Sequence, residues 1–185
     1  MKSKVILVVL CAIFCLAFLF SPRINSETYA DTSAQAMVVI EANSNRVLMS
    51  KNENIKRENA STTKIATFLT VLKHCKNFDE IVEIDDRAIG IEGTSIYLRK
   101  GEKLTVKELL YGMMLVSGND AATALALHIS DSVDDFARLM TKEAHACGAL
   151  NSRFKNPHGL DQDGHQTTAY DLEQITRECY KYPIF

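Results

Sequence analysis

The sequence predicts an α+β fold in which helices pack on an antiparallel sheet. Three observations predict it. A short β-branched run, Ala36 to Ile40, and a weakly alternating run, Arg46 to Met49, flank the turn-forming Asn43-Ser44-Asn45. Beyond this hairpin the chain changes to helical apolar spacing, stretch after stretch, with capping residues at the starts. Hydrophobic residues make up 46% of the 185 residues, enough for one domain with a real core. Strands followed by a run of helices fit the α+β class.

The elements follow in order. The hairpin spans Ala34 to Lys51; two strands alone are marginal, so it needs further strands or a covering helix. Glu53 to Asn59 is a polar connector. A helix from Ser61 to about Lys76 carries Ile65, Phe68, Leu69, Val71 and Leu72 on a face that should be buried. Ile81 to Ile84 is a short strand. Asp85 to Lys103 is expected to hold loops and one small strand pair around Ile96-Tyr97-Leu98. Thr105-Val106-Lys107-Glu108 is a capping box, opening a helix that runs to about Val116 with Leu109, Leu110, Met113 and Met114. Ser117-Gly118-Asn119 stops it. Asp120 supplies a negative charge to the start of an alanine-rich helix ending near Ile129. Ser132 caps a helix that ends near Gly148. Asn151 to Gln166 is a loop, and Thr168 with Asp171 opens a last helix to about Lys181.

Composition narrows the function. A net charge of −2 without a basic run argues against nucleic acid as partner. Lys2 and Lys4 precede an unbroken apolar run, Val5 to Phe20, and Thr28-Tyr29-Ala30 is a small-x-Ala cleavage site. Residues 1–30 therefore read as a signal peptide for export, with an uncleaved anchor as the alternative. Cleavage would remove Lys2, Lys4 and Arg23 against Glu27, taking the net charge from −2 to −4. Cys75, Cys147 and Cys179 remain; an odd number without metal-ligand spacing reads as buried small hydrophobes. No metal and no cofactor is expected. His158 and His165, with Asp161 and Asp163, read as a solvated, turn-rich loop, and Met113, Met114 and Met140 as core.

The chemistry sits in Ser61-Thr62-Thr63-Lys64. Residues three apart share a helix face, so the Lys64 amine can lie one turn from the Ser61 hydroxyl. A serine needs such a base to become a nucleophile, and a lysine serves only if burial or a nearby cation lowers its pKa. Alone, the tetrad recurs by chance as a helix-start serine with an exposed lysine. A second stretch, Ser117-Gly118-Asn119-Asp120, corresponds to the second part of the signature Ser-x-x-Lys, Ser-Asp-Asn, Lys-Thr-Gly, with Gly118 in the middle position. No Lys-Thr-Gly occurs in the sequence.

Four ordered motifs together resemble the serine D-alanyl-D-alanine carboxypeptidases, the low-molecular-mass penicillin-binding proteins. They are Ala60 to Lys64; Leu109-Leu110-Tyr111-Gly112 leading into Ser117 to Ala122; Phe136 and Met140 leading into Gly148; and Asn156-Pro157-His158-Gly159-Leu160 leading into Ala169-Tyr170-Asp171-Leu172. Asn59 stands where the family usually has proline. The resemblance implies a β-lactamase/DD-peptidase-like fold. It implies that Ser61 is the nucleophile, Lys64 the general base, Ser117 a proton relay and Asn119 a substrate-binding residue. It also implies a peptidoglycan stem peptide as substrate, β-lactams as inhibitors and a place in the cell envelope. Residues 31–185 read as the N-terminal part of such a catalytic domain, lacking the Lys-Thr-Gly segment, the β-rich C-terminal domain and the C-terminal membrane anchor. The alternatives are a D,D-endopeptidase with the same motifs and an inactive penicillin-binding-like module.

Overall fold

The computed structural model describes residues 32–185, so the signal-peptide reading of residues 1–30 lies outside the described residues. Nine elements follow one another: β1 (Met37–Glu41), β2 (Arg46–Lys51), α1 (Thr63–His74), β3 (Ile81–Glu83), β4 (Lys103–Thr105), α2 (Val106–Leu115), α3 (Asn119–Ile129), α4 (Val133–Ala146) and α5 (Ala169–Cys179). The class is α+β, with helices packed on a small antiparallel sheet. β1 and β2 form the expected hairpin, Val39 opposite Met49 and Ile40 opposite Val47, with a bulge between Val39 and Ile40. α5 packs against both β1 and α1.

The helix starts are where the capping chemistry puts them. The Thr105 hydroxyl accepts the Glu108 N–H while the Glu108 carboxylate accepts the Thr105 N–H, a complete capping box. Ser132 accepts from Asp135 N and Thr168 from Asp171 N. Just past the end of α4, Gly148 has a φ of +96°, the left-handed conformation that closes a helix. Lys73 and His74 occupy the last turn of α1, where positive charge is favoured, and both reach Glu143 of α4. The core lies between the helices: Val71, Leu109, Leu110, Met113, Leu125, Phe136, Met140 and Ile175 are completely buried. Cys75 and Cys179 are buried in it and Cys147 is half-buried, all three as free thiols.

The expected strand pair inside 85–103 does not form. β4 lies just beyond it and pairs with β3, Ile81 opposite Thr105, as a separate two-stranded ribbon. Residues 95–98 are instead gathered around the Asp120 carboxylate, which accepts from Ser95 Oγ (2.6 Å), Ile96 N (3.0 Å) and Leu98 N (3.0 Å). Amide groups spent on a carboxylate are not free for a strand ladder, and Tyr97 at φ +61° cannot continue one.

Candidate active site

Ser61 sits in a short 3₁₀ turn, Ala60–Thr62, that leads directly into α1. Lys64 follows one turn on. Its Nζ lies 3.1 Å from Ser61 Oγ and 3.3 Å from Ser117 Oγ. It also contacts Asn119 Oδ1 at 2.7 Å and the carbonyl oxygen of His158 at 3.1 Å. All four sequence-predicted site residues, Ser61, Lys64, Ser117 and Asn119, therefore meet around one amine. The His158 carbonyl was not foreseen.

Lys64 is 2% exposed, and no carboxylate lies within salt-bridge distance of it among the described residues. Burial without a counter-charge disfavours the ammonium form and brings the pKa down to about 8. Its surroundings are hydroxyls and carbonyls. As an ammonium it can donate to these; as an amine it can accept the proton of Ser61 or return one to Ser117.

Each partner is held by a different element. Ser117 adopts φ +64°, breaking the chain between α2 and α3 and presenting the hydroxyl to Lys64. Asn119 opens α3. Its Oδ1 takes Lys64, its Nδ2 donates to Glu92 O at 2.6 Å, and its backbone N–H donates to Thr94 O. Gly93, at φ +90°, lets that loop approach: a Cβ there would stand 2.8 Å from Asn119 Nδ2. Asp120 anchors the same loop. Burial alone would raise its pKa, but the amides of Leu98, Ile96 and Ala121 and the Ser95 hydroxyl hold it below the usual carboxylate value.

The 151–166 loop delivers the His158 carbonyl. It is only in part the solvated loop expected from its composition: Asp161 to Asp163 are exposed, but Asn156, Pro157, Gly159 and His165 are buried. Asn156 is buried and its side chain spans the turn, accepting from Gly159 N and donating to Leu160 O. Thr67 Oγ1 of α1 donates to Pro157 O at 2.6 Å. His165 is 2% exposed, and its Nε2 meets Thr63 Oγ1 at 2.8 Å. Lys155 N–H donates to His165 Nδ1, so the ring proton sits on Nε2 and points at Thr63. Thr63 also accepts from Asn59 Nδ2 at 2.8 Å. Burial pushes His165 below its ordinary pKa. His158 is brought to about 4, first by burial and then by the nearby Lys64 and His165 charges, so both rings are neutral at pH 7. Gly159 fits hard against Ala60, since a Cβ on it would stand 1.8 Å from Ala60 O. Its φ of +91° and Ala60's of +37° show how tightly the Ser61 turn is clasped. Polar residues in a loop read as exposed; what marks the buried part of this one is Gly159, two residues after Pro157, a glycine where backbones touch. No group of three or more metal-ligating side chains is found among the described residues.

Residues 23–185 match the D-alanyl-D-alanine carboxypeptidase family. D-alanyl-D-alanine carboxypeptidase DacF of Bacillus subtilis is 39% identical over 153 residues, covering 80% of this chain and 39% of the relative. Carboxypeptidase DacA of Escherichia coli is 33% identical over 165 residues, covering 83% of this chain and 39% of the relative. Among solved structures, carboxypeptidase DacD from Francisella tularensis superposes with a TM-score of 0.79 at 34% identity, over 84% of this chain and 38% of that one. A D-alanyl-D-alanine carboxypeptidase from Mycobacterium tuberculosis gives 0.80 at 31% identity, over 86% of this chain and 61% of that one. The chain spans about two-fifths of the length of the curated relatives named here. It belongs to the D-alanyl-D-alanine carboxypeptidase family.

Proposed function

From that membership we propose that the protein is a serine D-alanyl-D-alanine carboxypeptidase, or a part of one, working through an acyl-serine intermediate. The observation that carries the reading is the uncharged setting of Lys64, 3.1 Å from Ser61 and 3.3 Å from Ser117. In this reading the neutral Lys64 amine takes the Ser61 proton. Ser61 Oγ attacks the carbonyl between the two terminal D-alanines of a peptidoglycan stem peptide. Lys64 and Ser117 pass the proton to the leaving amine, the terminal D-alanine departs, and water hydrolyses the ester. The Ser61 backbone N–H, at the head of α1, is one oxyanion donor. Asn119 binds the substrate through its second Nδ2 proton, the first being held by Glu92 O. A β-lactam presents an acylating carbonyl to the same serine and inhibits. Export to the cell envelope belongs to the same proposal, and residues 1–30 are its support.

The test is to incubate the protein with a fluorescent penicillin, map the labelled peptide and measure D-alanine release from a D-alanyl-D-alanine peptide. Label on Ser61 together with release is expected. Acylation should rise with pH through about 8 as Lys64 loses its proton. Lys64→Arg, which cannot deprotonate, should slow acylation by roughly 10²–10⁴. Label on another serine, or near-normal acylation of Lys64→Arg, refutes the assignment. Cleavage of cross-linked peptides alone would show the endopeptidase instead.

A further inference from the structure

We propose that the protein carries a second binding site, an open basic groove between α4 and the 151–166 loop that takes a linear polyanion built of phosphodiester-linked polyols. The groove has a volume of about 670 Å³, and none of Ser61, Lys64, Ser117 or Asn119 lines it. Lys56, Arg138, Arg153 and Lys155 face it against the single carboxylate of Asp134. Only Arg138 has an acidic partner, Asp135, among the described residues. This concentration of positive charge sits on a chain whose net charge is −2, so it is local and not a consequence of overall composition.

The cations are placed, not merely present. Arg153 and Gln166 exchange backbone hydrogen bonds of 2.8 and 2.9 Å, which fixes the two sides of the loop. Gly164, at φ +76° and without a side chain, leaves a space that Arg153 Nη1 and Lys155 Cε both border, 3.9 and 3.6 Å from where a Cβ would be. Both cations border this space, and neither has a carboxylate within salt-bridge distance among the described residues, so both are available to a bound anion. The groove runs on past Gln166 and Lys56 into a second one of about 500 Å³, where Arg57 joins and where Glu58 and Asp163 also lie. There Lys56 and Arg57 are balanced by the two carboxylates, so the excess charge belongs to the first groove, where four cations spread over its length suit a chain with repeating charges better than a single ion. The intervening lining carries the amides of Asn151, Gln162 and Gln166, with Leu150 as its exposed apolar side chain. Phe154 is 3% exposed, and the exposed His145 imidazole, tied to Ser152 O at 2.9 Å, is a single ring, so successive bases find no series of faces on which to stack. That favours a polyol over a nucleic acid. The guanidinium of Arg153 matches two phosphate oxygens at once, and Lys155 adds a point charge beside it.

The inference is independent of the catalytic reading. Binding of the full chain to a synthetic poly(glycerol phosphate) is measured by fluorescence anisotropy across a salt series. The expected result is saturable binding that weakens steeply with salt, as counterion release requires. Arg153→Ala/Lys155→Ala should lower affinity at least tenfold and flatten the salt dependence while leaving thermal unfolding unchanged. Arg99→Ala/Lys107→Ala, which removes two exposed cations elsewhere, should bind like the parent. No binding, no effect of the groove pair, or an equal loss from the control pair overturns the site. Equal affinity for poly-glutamate or single-stranded DNA of matched charge overturns the phosphodiester-polyol assignment.

Discussion

The β1–β2 hairpin and the Ser61 site are built on opposite plans. In the hairpin turn, Glu41, Asn43 and Ser44 find their partners within a few residues, and only Asn45 reaches further, accepting from Gln174 Nε2 of α5 at 3.0 Å. The Glu41 carboxylate accepts from the Ser44 hydroxyl, the Ser44 and Asn43 amides and the Asn43 side chain, which together bring its pKa down to about 2. Its apolar side chains stay half in water, with Val39, Val47 and Leu48 between 42% and 47% exposed. Around Ser61 the polar groups are buried and their partners are distant in sequence. Lys64 bonds to residues 53, 55 and 94 positions away, and Thr63 to His165, 102 positions away. A turn held locally forms whenever its own sequence allows. A site held by distant partners exists only when the whole fold closes on it, and a change at any one contact is felt by several.

The largest expected effect comes from Gly159→Ala. A methyl group has no room beside Ala60 O, and φ +91° is unfavourable for alanine, so a loss of about 2–5 kcal/mol is expected. Urea unfolding measures it, and penicillin acylation should fall with it. A variant as stable as the parent would mean that the 151–166 loop does not clasp the Ser61 turn.

Next comes Thr63→Val, which leaves Asn59 Nδ2 and His165 Nε2 without their shared acceptor and should cost about 1–3 kcal/mol. Combined with His165→Leu, the two losses should fall short of additivity, since either change breaks the same bond. Strict additivity of the unfolding energies would remove His165 from the network.

A smaller, reversible effect is expected from acid. The folded His158 has a pKa of about 4 against 6.5 unfolded, and His165 is lowered in the same direction. Between those values the unfolded chain binds more protons, so stability falls as pH drops from 6.5 towards 4. Lys64, lowered from 10.5 to about 8, gives the same sign higher up, stability rising from pH 8 to 10.5. Unfolding midpoints across pH test both windows, and a midpoint unmoved by acid would contradict neutral, buried rings.

The smallest effect belongs to the hairpin. Leu48→Lys adds a charge on a side chain already 47% exposed and should change stability by no more than about 0.5 kcal/mol. A loss of several kcal/mol would show that the hairpin is as closely built as the site, and the contrast would disappear.

The sequence by itself determined what depends on near neighbours. The capping box at Thr105, the caps at Ser132 and Thr168 and the Asn43–Asn45 turn needed only residues a few positions apart. The Ser61–Lys64 pairing also belongs here, because the helix repeat fixes it. Tertiary structure decided the rest. Asp120 reads as a helix-start charge, yet its carboxylate binds Ile96 and Leu98 amides and replaces the expected strand pair. His165 reads as a solvated loop residue, yet burial and the Thr63 contact give it a fixed tautomer. The His158 carbonyl reaches Lys64 without leaving any mark in side-chain chemistry, because a backbone oxygen has the same identity at every position. The lowered pKa of Lys64 comes from desolvation, which arises only when α1, the α2–α3 junction and the 151–166 loop exclude water together.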